Sequence, residues 1–242
     1  EAVHVLPSEL PEFVKNSRSL YDGVNVTVPH KGPIMKYLDK ISALANLAGS
    51  VNTITNIDGK LFGDSTDGKG LEAAFLEDFG MTVPGESFFF VGCGGACRAV
   101  AVYFASIGAR KLSFVNRTIS KAEELCSLIS GEFPSVDLHF SSIGDDSFIS
   151  EHLGASDLVI QSSSVGLKPN DPSPLSSKYF FPDKFYYDMI YGHTSFLDCA
   201  KKMGCRYSSG LSMLIHQGAE SFRIWTGRDA PVKAMRTAII SN

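Results

Sequence analysis

The chain of 242 residues contains one tryptophan and five cysteines, and it does not begin with methionine. No apolar run approaches the roughly 18 residues that a membrane-crossing helix needs. No block of lysine and arginine stands out. The 22 basic residues are scattered among 26 acidic ones, for a net charge of −4. This balance argues against a nucleic-acid groove and against a polybasic membrane patch. The aromatic residues lie inside apolar runs such as FFFVG and are not interleaved with basic residues. Cys93, Cys97, Cys126, Cys199 and Cys205 are odd in number and dispersed. That usage favours reduced thiols in a cytoplasmic protein. Neither close cysteine pair has the two-residue spacer of a zinc knuckle, so no metal site is expected. Internal repeats and low-complexity segments are absent. The strand-like opening EAVHV, without a preceding Met, reads as part of a longer chain.

The length suits one large domain or two modest ones. EAVHV reads as a strand, and PSELPEFVKNSRSL as a helix with Ser8 as its N-cap. VNVTV alternates as a half-buried strand does. From Gly32 to Ala48 apolar residues recur at helical spacing. VNTITN, Asp58-Gly59 and KLFGD together read as a β-hairpin. GKGLEAAFLEDFG reads as a helix closing at Gly80. Composition shifts at MTVPGES, after which strands and helices alternate: SFFFVG, GACRAVAVYFASIG, KLSFVNR, SKAEELCSLIS, VDLHFSS, DDSFISEHL, DLVIQSS, FYYDMIY and TSFLDCAKKMG. CRYSSG leads into a long helix, LSMLIHQGAESFRIWTG, and a terminal one, APVKAMRTAIISN. Such alternation implies an α/β fold of parallel sheets covered on both faces.

One turn carries a clear mechanism. The apolar strand SFFFVG enters Gly92-Cys93-Gly94-Gly95-Ala96, and a helix leaves it. Gly92 permits the tight turn and Gly94 lets backbone approach a pyrophosphate at the helix N-terminus. The third glycine place of the fingerprint holds Cys97. An NAD site usually carries Asp or Glu about 20 residues further on. Here Asn116-Arg117-Thr118 stands there, with Lys121 one turn later. An arginine fork binds the 2′-phosphate that a carboxylate would repel. The pattern therefore points to NADP, the alternative being that Arg117 and Lys121 are ordinary surface charges.

A second stretch, NVTVPHK, runs from Asn25 to Lys31. Pro29 cannot donate to a ladder and marks a strand end. Lys31 follows at the mouth of a sheet, where functional groups of α/β proteins gather. By itself the stretch reads as well, or better, as a solvated loop lysine.

In order along the chain, NVTVPHK, GSVNTITNIDGKLFGDSTDGKG, VGCGGACRAVA, NRT, YDMIY and LIHQGAESFRIWTG resemble the shikimate dehydrogenase family, quinate/shikimate dehydrogenases included. The resemblance covers essentially the whole chain. It implies two domains with a cleft between them: a substrate-binding α/β domain, residues 1–70 plus 213–242, and a Rossmann NADP-binding domain with a parallel sheet, residues 71–212. It implies reversible NADPH-dependent reduction of 3-dehydroshikimate to shikimate, with Lys31 and Asp67 as the catalytic pair. Substrate contacts would map to Thr27, Asn52, Tyr191 and Gln217. Cofactor contacts would map to Gly92, Gly94, Gly95, Ala96, Asn116, Arg117, Thr118 and Lys121. Ser163, Met189, Gly210 and Met213 would lie near the nicotinamide.

Three departures stand out. Ser65 replaces the family's usual Asn before Thr66-Asp67-Gly68, and QSSSVGL matches the family's pattern around Ser163 only loosely. The family's opening strand and serine-rich loop, whose serines hold the substrate carboxylate, are not in this sequence. They were lost, or they lie outside it.

The chemistry of ketone reduction fits these residues. Negative charge develops on oxygen, and a lysine ammonium can stabilise it and supply a proton. Asn52, Thr27 and Gln217 suit a ligand with several hydroxyls. Local capping, surface exposure and core packing are the plainer roles open to Asn52, Gln217 and Tyr191. His30 and His216 are assigned to packing or local hydrogen bonding. Two alternatives remain: a quinate/shikimate dehydrogenase using NAD or NADP, or a non-catalytic dinucleotide-binding module. The expected partner is a small-molecule substrate, with no nucleic acid or membrane, and the chain is expected to be a monomer or homodimer.

Overall fold

A computed structural model describes residues 1–241. Its first regular element is helix α1 (Leu10–Leu20). Glu1–Val5, expected as a strand, form none. A strand exists only through a partner ladder, and here the Val5 carbonyl meets the side chain of His30 instead, 2.7 Å from Nε2. Ser8 does not cap α1. Glu9 holds the cap position, and its carboxylate accepts the Leu6 N–H at 2.9 Å.

Strand β1 (Gly23–Asn25) is shorter than the alternation of VNVTV implies. Val26 N–H still donates to Asn52 O at 2.8 Å, and then the chain turns, with His30 N–H closing on Thr27 O at 2.9 Å. The helical spacing from Gly32 to Ala48 does not produce one helix. A 3₁₀ turn (Pro33–Tyr37), a short strand β2 (Lys40–Ile41) and helix α2 (Ala43–Ala48) take its place. The break has a tertiary cause. Asp39 N–H donates to Leu61 O, and its carboxylate accepts the Leu61 N–H at 2.7 Å. These bonds draw the segment onto the neighbouring strand, after which Ser42 caps α2 through Ala45 N–H.

Strands β3 (Thr53–Ile57) and β4 (Lys60–Asp64) form the hairpin. Asp58 and Gly59 both have positive φ, 52° and 80°, as a type I′ turn requires. Helix α3 (Asp67–Phe79) follows and ends at Gly80 in the left-handed region. The order of this first sheet is β1-β3-β4-β2. Only the β2–β4 pair is parallel, so the sheet is mixed, not parallel as the alternation suggested.

The second sheet starts with β5 (Ser87–Val91), followed by α4 (Gly95–Ser106), β6 (Lys111–Asn116), α5 (Ile119–Glu132), β7 (Asp137–Ser142), α6 (Asp146–Gly154) and β8 (Leu158–Gln161). Then come β9 (Phe185–Asp188), α7 (Ser195–Lys202) and β10 (Arg206–Ser209). The last strand was not distinguished in the sequence. Its residues are half or fully exposed at the sheet edge, so no buried alternation marks it. The order is β10-β9-β8-β5-β6-β7 and every pair is parallel. The order reverses between β5 and β8, the doubly wound arrangement whose crevice lies beyond the strand ends at that point.

β5 is buried on both faces, which is why it reads as an unbroken apolar run. Phe88 and Phe90 pack into one core, Phe89 and Val91 into the other. A third core, with Leu10, Val14, Ile34, Val51, Ile54 and Leu61, lies under the first sheet. Helix α8 (Leu211–Thr226) returns to that sheet, and Trp225 Nε1–H donates to Ile54 O at 3.0 Å. Helix α9 (Val232–Ile240) packs on α8. Where α3 meets α8, a Cβ on Gly70 would lie 2.7 Å from the Gln217 backbone nitrogen. Only glycine permits that approach.

Candidate active site

Lys31 follows the turn after β1, and its carbonyl is held by Val51 N–H at 2.9 Å. Its Nζ donates to Asp67 Oδ2 at 2.7 Å. The pair is withdrawn from water, with side-chain exposures of 17% and 4%. Asp67 opens α3, where a carboxylate also faces the positive end of the helix dipole. Its other oxygen, Oδ1, accepts from Asn52 Nδ2 at 2.8 Å. Asn52 Nδ2 also lies 3.2 Å from Gln217 Oε1 on α8. Four of the expected residues thus form one hydrogen-bonded cluster, drawn from the β1 turn, the edge of β3 and two helices.

Thr27 and Tyr191 make no hydrogen bond to this cluster among the described residues. Thr27 is exposed and borders a cavity of ≈ 390 Å³ with Asn25, Val5, Phe13 and Trp225. Tyr191, 66% exposed, stands on the loop after β9.

The glycine-rich turn lies at the C-terminal end of β5. Gly92 has φ of +102°, and a Cβ there would come within 2.8 Å of Ser163. Gly94 caps α4 and Gly95 begins it; both are exposed, and no atom lies within 4 Å of a Cβ built on Gly95. The helix end therefore offers free backbone in open space, which fits a pyrophosphate. Asn116 Oδ1 accepts the Cys93 N–H at 3.2 Å, tying this turn to the end of β6. Arg117, Thr118 and Lys121 are exposed just beyond it. Their open, basic surroundings fit a 2′-phosphate.

Ser163, Met189, Gly210 and Met213 gather past the ends of β8, β9 and β10. Met189 N–H donates to Gln161 O at 2.9 Å. Gly210 N–H donates to Ile190 O at 3.0 Å, and a Gly210 Cβ would lie 2.2 Å from Met189 O. Met213 N–H donates to the Tyr187 hydroxyl at 3.2 Å.

Several site neighbours escaped sequence reasoning. Thr53, Thr66 and Ser221 are buried hydroxyls around Asn52. Their partners lie far away in sequence, and no periodic signal reveals such a meeting. Asp188 is wholly buried at the end of β9, where it accepts from Thr194 Oγ1–H at 2.6 Å and Ile190 N–H at 3.0 Å. Burial pushes its carboxyl up to about 6. Arg98 on α4 donates to Ala48 O at 3.2 Å, linking the nucleotide-side helix to the end of α2. His30 and His216 bond Val5 O and Glu77. Cys97 is held protonated first by burial, then by the neighbouring Cys93.

A doubly wound sheet with an open glycine turn, together with a shielded lysine–aspartate pair beside a second sheet, is the architecture of a dinucleotide-dependent α/β oxidoreductase. Comparison with known proteins gives the particular family. Residues 1–54 match the family model described as the shikimate dehydrogenase substrate binding domain. Residues 210–240 match the shikimate 5′-dehydrogenase C-terminal domain. The shikimate dehydrogenase (NADP(+)) of Moorella thermoacetica is 40% identical over 238 residues, covering 97% of this chain and 80% of the relative. A crystal structure of a shikimate dehydrogenase in complex with NADP+ superposes with a TM-score of 0.89 at 36% identity, over 99% of this chain and 83% of the other. The Listeria monocytogenes shikimate 5-dehydrogenase, in complex with shikimate and NAD, gives 0.89 at 31% identity, over 98% and 84%. This chain belongs to the shikimate dehydrogenase family.

Proposed function

We propose that this protein is an NADP-dependent shikimate dehydrogenase, reversibly reducing 3-dehydroshikimate to shikimate in aromatic amino-acid biosynthesis. The observation that carries the reading is the Lys31–Asp67 pair, 2.7 Å apart and largely shielded from water. Replacing a pair like this with apolar residues is often neutral or stabilising. A chemical role accounts for its presence at the mouth of the site.

NADPH, when bound, supplies the hydride. Lys31 Nζ–H supplies the proton that the ketone oxygen takes as it becomes a hydroxyl, and takes it back in oxidation. Asp67 aims Lys31 and aligns the substrate hydroxyl beside it. Asn52 and Gln217 flank the pair and offer amide donors and acceptors to neighbouring hydroxyls. Thr27 and Tyr191 complete the substrate contacts from the exposed side. The open turn at Gly92, Gly94, Gly95 and Ala96 holds the pyrophosphate. Asn116, Arg117, Thr118 and Lys121 hold the adenosine 2′-phosphate. Ser163, Met189, Gly210 and Met213 line the nicotinamide end. We assign residues 1–70 with 213–242 to substrate and 71–212 to cofactor; the separate sheets and the return of α8 to the first sheet support that division. The five free cysteines support a cytoplasmic location.

The test is initial rates with shikimate and with quinate, each with NADP⁺ and NAD⁺, followed by reduced-nicotinamide absorbance. Clear preference for shikimate with NADP⁺ is expected. Turnover mainly of quinate with NAD⁺ would reassign the protein to the quinate branch. Cofactor binding with no turnover would make it a binding module.

A further inference from the structure

Behind the Lys31–Asp67 pair lies a buried run of hydroxyl and amide groups from three separate parts of the chain. Asn52, Thr53, Thr66 and Ser221 are each at most 2% exposed. Asn52 Oδ1 accepts from Thr66 N–H at 2.8 Å and from the Thr53 hydroxyl at 2.9 Å. With its oxygen held between two donors, the amide must turn Nδ2 toward Asp67 Oδ1, 2.8 Å away. The flipped amide would set oxygen against carboxylate and NH₂ against the Thr66 N–H, two repulsive contacts.

The hydroxyl protons extend this logic outward. Thr53 has one proton, and Asn52 takes it. At the 2.8 Å contact with Ser221 Oγ, Thr53 is therefore the acceptor and Ser221 the donor. A helical serine ordinarily bonds the carbonyl one turn back, here Gln217 O at 3.0 Å. The Thr53 oxygen is nearer and competes for that proton. Ser221 Oγ in turn accepts from Asn25 Nδ2 at 2.9 Å. Asn25, Ser221, Thr53, Asn52 and Asp67 are thus joined in one hydrogen-bonded run, with the Ser221 proton within reach of both Thr53 Oγ1 and Gln217 O. Each bond polarises the next in a low-dielectric setting.

We propose that Thr53 and Ser221 are positioning residues: their hydroxyls set the Asn52 amide so that it donates to Asp67, and so hold Asp67 aimed at Lys31. The inference rests on the dehydrogenase reading above. Both hydroxyls belong to buried residues, and neither bonds Lys31 or Asp67 directly among the described residues. Their effect passes through Asn52, and a small misplacement of Asp67 lowers rate because reacting groups must meet in near-attack geometry. α8 thereby contributes to catalysis from a buried turn as well as through Gln217.

The experiment compares Thr53→Val, Thr53→Ser and Ser221→Ala with the wild-type chain in shikimate oxidation across pH. Thr53→Val keeps shape and deletes the hydroxyl; Thr53→Ser keeps the hydroxyl. Thr53→Val and Ser221→Ala are expected to lower kcat by roughly tenfold or more, with KM for NADP⁺ unchanged. The ionisation limb of the kcat–pH profile should move with them. Thr53→Ser should return both kcat and profile to near the wild type. A hydroxyl that merely stitches α8 to β3 would lower the melting temperature and leave kcat and the pH profile alone. That outcome, or equal impairment in Thr53→Ser and Thr53→Val, would overturn the proposal. Ser221→Ala removes a single oxygen from a helix interior, so it decides the matter if Thr53→Val does not fold. Absence of shikimate turnover in the wild-type chain would instead overturn the functional reading itself.

Discussion

Lys31 and Asp67 show what single residues contribute here. A lysine on a turn is usually a solvated charge, and an aspartate at a helix start is usually a cap. Here they lie 2.7 Å apart with buried hydroxyls behind them, an arrangement that suits the proposed proton donor and its partner. Lys31→Ala is expected to lower kcat by roughly 10²- to 10⁴-fold, the usual range for a lost general acid–base, with a much smaller change in the KM for shikimate. Steady-state kinetics checks this, and a kcat within about threefold of the wild type would contradict the role. The residue types and motif order were legible in the sequence at this scale. The proximity of Asn52, Asp67 and Gln217 was implied only by family resemblance. Nothing in the sequence pointed to Thr53 or Ser221, because a buried serine and threonine look the same as any others until their partners are known.

At the scale of elements, the contact of α3 with α8 brings Gln217 to Asn52, and Asp188 holds the loop after β9. Gly70 lets the two helices approach until Gln217 reaches Asn52. Gly70→Ala would gain helix propensity of about 1 kcal/mol. Against that, its Cβ meets main-chain atoms of α8 that cannot rotate away, and overpacking of this kind costs about 1–3 kcal/mol. The net expectation is a lower melting temperature together with a lower kcat, measured by thermal unfolding and steady-state assay. Beyond β9, Asp188 gathers the Thr194 hydroxyl and the Ile190 N–H, and burial raises its carboxyl to about 6. A carboxyl raised above its unfolded value of roughly 3.9 favours the native state most when protonated. That contribution is full below the unfolded pKa and is lost as pH rises through about 6. Asp188→Asn should therefore compare more favourably with the wild type at pH about 7.5 than at pH about 4.5, as read by calorimetry. The opposite trend would mean that Asp188 is not so held. Among elements, strand and helix types in the second sheet were readable because βαβ units repeat and the core strands are apolar throughout. The interval from Gly32 to Ala48 was misread, because Asp39 and Ser42 bond to β4 and override a helical period.

The whole molecule is built on two sheets, one mixed and one parallel, and α8 returns near the end of the chain to the mixed one. A ligand that binds only the native state stabilises it by about 2.7 kcal/mol at a hundred times its Kd. For a chain of this size that corresponds to a rise in Tm of roughly 5–11 °C. NADP⁺ is expected to produce such a rise, and NAD⁺ at the same concentration a smaller one. Arg117→Ala should shrink the NADP⁺ shift and leave the NAD⁺ shift nearly unchanged, as followed by differential scanning. An equal loss for both cofactors would place Arg117 away from the 2′-phosphate.

By itself the sequence determined the alternation of strands and helices, the glycine turn, the absence of an acidic residue after β6 and the ordered motifs of the family. These are local properties: periodicity, turn chemistry and residue type are written in neighbouring positions. Only the tertiary structure decided that the opening residues pair with no strand, that the first sheet is mixed, and that Asn25, Thr53 and Ser221 meet behind the Lys31–Asp67 pair. Those outcomes depend on which distant groups arrive to share a hydrogen bond. Asn25 and Ser221 are 196 positions apart in the chain and 2.9 Å apart in the fold.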